Sequence, residues 1–268
     1  MKTYHRILTI AGSDSGGGAG IQADIKAISA CGGYAASAIT ATTAQNTQGV
    51  TDIHGIPVAH LKAQLHAVLG DIGADAVKIG MLHAPEVIEA VASIIREYGI
   101  TNVVLDPVMV ATSGDRLLQE EAVEALKHTL IPVARIITPN LPEAGILLGE
   151  PAPEAANELP SYAEDLAHKY QTSVLLKGGH LKGEEMHDVL YDYEKGERLV
   201  LATKRIQTKN THGTGCTLSS ALATYLGKGE GLLPACQHAQ HYLAGAIASG
   251  AEYQLGQGHG PVNHFYRR

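Results

Sequence analysis

Short apolar runs alternate with helix-patterned segments along most of the chain, and almost every run stops at a glycine or a polar residue. Residues 7–11 run into Gly12, residues 35–42 into Thr43, and residues 76–80 into Met81. Residues 103–105 run into Asp106, residues 135–138 into Pro139-Asn140, and residues 173–177 into Gly178-Gly179. Between them, apolar residues recur at helical spacing, as in Ile21, Ile25 and Ile28, or Leu61, Leu65, Val68 and Leu69. Roughly six such alternations predict an α/β fold, a doubly wound and mostly parallel central sheet with helices on both faces. No internal repeat or long linker divides the chain, so a single domain over residues 1–268 is expected. Residues 188–193 and 198–201 flank Lys195-Gly196 and read as a hairpin that adds an antiparallel edge. Helices are expected over 58–69, 85–98, about 120–127, 162–170 and 233–251, and from Pro139 to Leu148 with Gly149 as its C-cap. Parallel strands end on one edge of their sheet, so the polar residues after them converge there and mark the expected site.

The composition narrows what that site could serve. Hydrophobic residues are 45% of the chain and charged residues 18%, the balance of a chain with a large core. A net charge of −7 argues against nucleic acid or an anionic membrane as partner, and no apolar run reaches the ~20 residues of a membrane span. Phe265 is the sole phenylalanine and there is no tryptophan, which disfavours base-stacking platforms. Cys31, Cys216 and Cys236 show no paired spacing and no secretory leader precedes residue 7, a pattern that fits a reducing cytoplasm. Fourteen histidines are scattered without metal-ligand spacing.

Two glycine-rich segments carry the strongest local chemistry. Gly12-Ser13-Asp14-Ser15-Gly16-Gly17-Gly18-Ala19-Gly20 joins a strand to a helix, yet it matches neither G-x-G-x-x-G nor the P-loop pattern. Asn210-Thr211-His212-Gly213-Thr214-Gly215-Cys216-Thr217 opens a second helix, with Leu218, Ala221, Leu222, Tyr225 and Leu226 on its apolar face. Unpaired amides and the helix dipole suit a phosphate at such a turn, and Gly213 and Gly215 allow close backbone approach. Cys216 falls on the first helical turn, where the same field is expected to favour its thiolate. An ordinary glycine-opened helix with a buried cysteine would show the same pattern.

These segments, with Thr43-Ala44-Gln45-Asn46-Thr47, Lys78-Ile79-Gly80-Met81-Leu82, Leu105-Asp106-Pro107-Val108-Met109, Ile137-Thr138-Pro139-Asn140-Leu141-Pro142-Glu143-Ala144 and Leu176-Lys177-Gly178-Gly179-His180, come in a diagnostic order. In that order the chain resembles the hydroxymethylpyrimidine/phosphomethylpyrimidine kinases of thiamine biosynthesis, in the ribokinase-like superfamily. The resemblance implies ATP-dependent phosphorylation of 4-amino-5-hydroxymethyl-2-methylpyrimidine and then of its monophosphate, with Mg²⁺ as cofactor, in a cytoplasmic homodimer. It implies that Gln45, Met81, Val108, Gly12, Ala19 and Asp24 bind the pyrimidine. A side-chain amide such as that of Gln45 can pair with both a ring nitrogen and an exocyclic amine, while Met81 and Val108 can clamp a flat ring. Lys177, Thr214, Asp106 and Thr138 are assigned to the nucleotide phosphates, and Asn140 and Glu143 to the metal, through water. Asn140 and Glu143 also form an Asn-x-x-Glu capping pattern, which by itself would account for them. Cys216 stands where most ribokinase-like enzymes carry an aspartate base, so Cys216, Gly213 and Gly215 are the expected catalytic set. Pyridoxal kinase activity and a non-catalytic pyrimidine or nucleotide sensor are the alternatives, since pyridoxine is also a flat ring with a hydroxymethyl group.

Overall fold

A computed structural model describes residues 2–109 and 120–267. A nine-stranded sheet runs through these residues in the order β3-β2-β1-β4-β5-β6-β7-β8-β9. Its strands are β1 (Arg6–Asp14), β2 (Tyr34–Asn46), β3 (Gly49–Gly55), β4 (Ala76–Ile79), β5 (Val103–Leu105), β6 (Ile136–Ile137), β7 (Ser173–Leu176), β8 (Glu185–Asp192) and β9 (Glu197–Lys204). The strands from β2 through β1 and β4 to β7 pair parallel, while β3, β8 and β9 are antiparallel.

The helices are α1 (Gly20–Ala30), α2 (Val58–Asp71), α3 (Pro85–Glu97), α4 (Glu120–Ala125), α5 (Leu141–Leu148), α6 (Leu159–Tyr170), α7 (Thr214–Gly227) and α8 (Leu232–Gly250). A π-helical turn, Leu126–Leu130, prolongs α4. The strand period of two divides the core between the faces of the sheet. Leu8, Ile10, Val103, Leu105, Ile137, Val174 and Leu176 pack with α2–α6, whereas Ile7, Val104, Ile136 and Leu175 pack with α1, α7 and α8. Both faces of the short central strands are therefore buried, which explains why they read as continuous apolar runs.

Two features depart from the expected layout. Residues 43–46 belong to β2 rather than to a polar loop, because that strand turns back at residues 47–48 into the antiparallel edge strand β3. A β-bulge between Ala11 and Ser13 interrupts the β1–β2 register and sets Gly12 apart from the ladder. The β2–β3 tip is fastened to the C-terminal segment, since the Thr47 carbonyl accepts the His259 amide at 2.9 Å and its hydroxyl accepts the Gly258 amide at 3.2 Å.

Candidate active site

The ends of β1, β2 and β4–β7 open into one cavity of about 740 Å³, floored by the parallel edge as expected for an open α/β sheet. Gly12, Ala19, Gln45, Met81 and Val108 line it, and so do Asp106, Asn140, Glu143, Lys177, Gly213, Thr214, Gly215 and Cys216. At the end of β1, Gly12 makes room for a clamp residue: a Cβ there would lie 2.7 Å from Met81 Cε. Gln45 is held by its backbone, whose amide donates to Ser15 Oγ at 2.8 Å, while its carbonyl accepts from the same hydroxyl. Its side-chain oxygen accepts from Thr43 Oγ1 at 3.1 Å.

Asp14 organises the first glycine loop. Its carboxylate accepts the amides of Gly16 at 2.7 Å, Gly18 at 2.9 Å and Ala19 at 2.8 Å, and meets His212 Nε2 at 2.9 Å. Burial works to raise the pKa of Asp14, but the hydrogen bonds from His212 and from the amides of Ala19 and Gly16 outweigh it and hold the carboxyl below its ordinary value. Gly213, the N-cap of α7, adopts φ 79°, and a Cβ there would overlap the carbonyl oxygen of Gly18. The two glycine segments are thus packed backbone to backbone, a contact that only glycine permits.

Beyond them lies the charged end of the cavity. Lys177 Nζ donates to Asp106 Oδ1 at 2.8 Å, and Thr138 Oγ1 donates to the same oxygen at 3.1 Å. A Cβ on Gly215 would sit 3.2 Å from Asp106 Oδ2 and 3.5 Å from Lys177 Nζ, so the first turn of α7 abuts this ion pair. Burial disfavours the charged form of Asp106, yet Lys177 and Lys78 overcome it and keep the carboxylate ionised. Asn140 and Glu143 make a full capping box at α5, with Glu143 N to Asn140 Oδ1 at 2.9 Å and Asn140 N to Glu143 Oε2 at 2.8 Å. Burial pushes the Glu143 carboxyl up to about 7; Lys177 opposes this and Asp106 reinforces it. Lys177 thus feels both Asp106, its ion-pair partner, and Glu143, and these two carboxyl groups form a donor set that suits a divalent cation. Among the described residues no group of three or more His, Cys, Asp or Glu forms a metal cage. Mg²⁺ commonly takes one or two carboxylates and completes its shell with water and phosphate.

Three expectations need correction. Asp24 is not on the cavity wall: it is 0% exposed, accepts both Lys78 contacts at 2.9 Å, and also accepts from Thr9 at 2.6 Å and Ser220 at 2.8 Å. Thr138 is likewise fully buried and reaches the cavity only through Asp106. Cys216 does sit on the first turn of α7, half-buried, but burial pushes its thiol up to about 11 against the pull of Lys78. The resting side chain is a thiol because desolvation outweighs the helix-end field.

Sequence reasoning missed Lys78, which lines the cavity from the middle of a buried strand. It also missed an apolar wall at Ile206, Leu243, Ala244 and Ile247, which carries no motif and is assembled by tertiary contact with α8.

Comparison with known proteins agrees with the geometry. The family model described as phosphomethylpyrimidine kinase matches residues 14–263. A hydroxymethylpyrimidine/phosphomethylpyrimidine kinase from Rhizobium meliloti (strain 1021) is 50% identical over 261 residues, covering 97% of each chain. The ADP complex of Bacillus subtilis pyridoxal kinase superposes with a TM-score of 0.91 at 37% identity, covering 99% of both chains. A phosphomethylpyrimidine kinase structure from Clostridium difficile 630 gives a TM-score of 0.79 at 42% identity, covering 90% of this chain and 99% of its own. With a family model that spans nearly all of the described fold and a relative half identical along its length, the chain belongs to the phosphomethylpyrimidine kinase family.

Proposed function

We propose that this kinase transfers the γ-phosphoryl group of ATP to 4-amino-5-hydroxymethyl-2-methylpyrimidine, and then to the resulting monophosphate, in thiamine biosynthesis. The observation that carries the reading is one cavity with two chemically distinct ends. Gly12, Ala19, Gln45, Met81 and Val108 supply a narrow, mostly apolar slot with one side-chain amide, fit for an aminopyrimidine. Lys177, Asp106 and the Gly213-Thr214-Gly215 turn supply charge and backbone amides for phosphate. Cys216 lies on the same wall and receives the hydroxymethyl proton. Asn140 and Glu143 with Asp106 would hold Mg²⁺ through water, and the ion would neutralise charge on the transferring phosphoryl group. Phosphoryl transfer passes through a loose transition state, so positioning and charge neutralisation carry most of the rate. The working enzyme is proposed to be one domain per chain, paired as a cytoplasmic homodimer.

Pyridoxal kinase activity is the competing reading, supported by the superposition on the Bacillus subtilis enzyme. Incubation with ATP, Mg²⁺ and an equimolar mixture of hydroxymethylpyrimidine and pyridoxal, followed by mass spectrometry, separates the two. The expected record is pyrimidine monophosphate followed by diphosphate, ahead of any pyridoxal phosphate. Exclusive phosphorylation of pyridoxal would overturn the reading, and no phosphorylated product of either kind would leave a sensor.

A further inference from the structure

Lys78 occupies a place that stability alone does not explain. It is the charged residue in β4, a strand buried along its length, and its side chain is 0% exposed. Asp24, also 0% exposed, takes two of its three donors. Thr9 and Ser220 complete the shell around that carboxylate and fix it between β1 and α7. Exchanging a buried ion pair for apolar residues of similar volume is often neutral or stabilising, so the pair calls for another reason to be there. The surroundings supply one. Lys78 borders the cavity alongside Ala11, Gly12 and Cys216, whereas Asp24 does not reach it. A Cβ on Gly80 would come 2.8 Å from the ammonium, so glycine keeps the space beside it clear. Ser220 follows Cys216 by one helical turn, which places the anchored pair beneath the first turn of α7.

We propose that Lys78 is a positioning residue for the first phosphoryl transfer: its ammonium, anchored by Asp24, supplies the positive field under Cys216 that lets the sulfur take the hydroxymethyl proton. The inference rests on Cys216 as the acceptor of that proton. The groups that bear on Cys216 are Lys78 from β4, Asp24 from α1, Asp106 after β5, Lys177 after β7, and the backbone amide of Gly20. Burial, Asp24 and Asp106 all disfavour the thiolate, and Lys78 is the strongest influence against them. In the first transfer the hydroxymethyl oxygen bonds to the γ-phosphorus, the bond from that phosphorus to the β–γ bridging oxygen breaks, and ADP leaves. Cys216, a thiol at rest, first releases its proton to solvent, and the resulting thiolate then takes the hydroxyl proton and returns to the thiol. The second acceptor is a phosphate monoester, already ionised near neutral pH because its second pKa is about 6. No proton needs removing there, so the demand on Lys78 is confined to the first transfer.

The test reads alkylation of Cys216 by iodoacetamide against pH, tracked by peptide mass spectrometry, in Lys78→Met, Asp24→Asn and the charge-free double variant. Cys31 and Cys236 are buried and are resolved as separate peptides. Lys78→Met should move the alkylation midpoint to higher pH and Asp24→Asn to lower pH. The double variant, which leaves no unpaired buried charge, should fold and fall between them. At pH 7.5 Lys78→Met should slow the first transfer about 10- to 100-fold, with the second reduced far less and Lys78→Arg partly restoring the first. Equal losses in both transfers, or midpoints that move together in the two single variants, would overturn the inference. Undiminished first transfer in Cys216→Ser would remove the proton acceptor and the inference with it. A midpoint indifferent to Lys78 would remove the inference alone.

Discussion

Asp14 and His212, 198 residues apart, meet at 2.9 Å and join the two glycine segments into one wall of the cavity. The same carboxylate caps three amides of the first segment, so it shapes that loop and aligns it with the turn before α7.

His212→Ala removes the link and leaves the amide cap, while Asp14→Ala removes both. The Gly18 amide is buried, and a buried amide left without an acceptor costs ~1–3 kcal/mol, so Asp14→Ala should melt several degrees lower and His212→Ala less. Because the folded Asp14 carboxyl ionises below its ordinary value, its contribution is complete above about pH 4 and is lost as pH falls through the lowered value. Thermal melts from pH 3 to 7 check this: the gap between Asp14→Ala and wild type should narrow toward the acid end. Parallel curves across that range would show that Asp14 is not an ionised cap.

Gly213 is the more constrained member of the proposed phosphate turn, with φ 79° and the Gly18 carbonyl against it, whereas Gly215 has neither feature. Gly213→Ala should lose stability and turnover together, since the added methyl must push the two glycine segments apart. Gly215→Ala should fold normally and lose turnover more than ATP affinity, because its methyl meets Asp106 and Lys177 rather than backbone. Steady-state constants beside melting curves for both variants decide it; a wild-type kcat in Gly215→Ala would take the turn out of phosphoryl transfer.

The Cys216 thiol, raised to about 11, gives the first transfer a pH signature. If Cys216 accepts the proton as proposed, its thiolate fraction grows with pH throughout the neutral range, so the rate of the first transfer should climb by up to roughly tenfold per unit between pH 7 and 9. Transfer to the monophosphate should be nearly flat over that interval. Rapid-quench measurement of each step tests the contrast, and identical profiles would mean that Cys216 is a wall of the pocket.

Glu143 carries the opposite stability sign. Its folded carboxyl is raised to about 7, so the native state holds the proton more tightly than the unfolded chain does. The cost of ionising it in the fold therefore appears as pH rises from about 4.5 and is complete above about 7. Glu143→Gln keeps a capping group and removes the charge. In the absence of metal it should be more stable than wild type at pH 8, on the order of 1 kcal/mol, and equal to it at pH 4. Its activity should need more Mg²⁺. Chemical denaturation at the two pH values and a Mg²⁺ titration read both effects.

The sheet was legible because short, doubly buried strands such as Val103–Leu105 leave an unmistakable apolar run. Gln45 was legible as a polar residue beyond the second apolar run, although β2 in fact runs through it to Asn46. The edge strand β3 was not legible: Gly49–Gly55 is largely exposed and gains its conformation by pairing with β2, which local composition does not record. The family resemblance places Asp24 in the pocket, yet a helix position four residues past Gly20 turns it toward Lys78. Lys78 stands in a diagnostic block but reads only as part of a core strand, because nothing local shows that its ammonium meets Asp24. The state of Cys216 depends on how deeply the assembled fold buries it, and no spacing along the chain encodes desolvation.

The fastening of Thr47 to Gly258 and His259 gives the C-terminal segment a hold on the hairpin that carries Gln45. A Cβ at Gly258 would overlap the Thr47 carbonyl, so the two backbones run in direct contact. Tags, fusions or protease cuts placed near residue 258 should thus act on the proposed pyrimidine end of the cavity. Their signature would be a higher KM for the pyrimidine at unaltered KM for ATP, and a tail remote in sequence from the substrate would behave as part of its specificity.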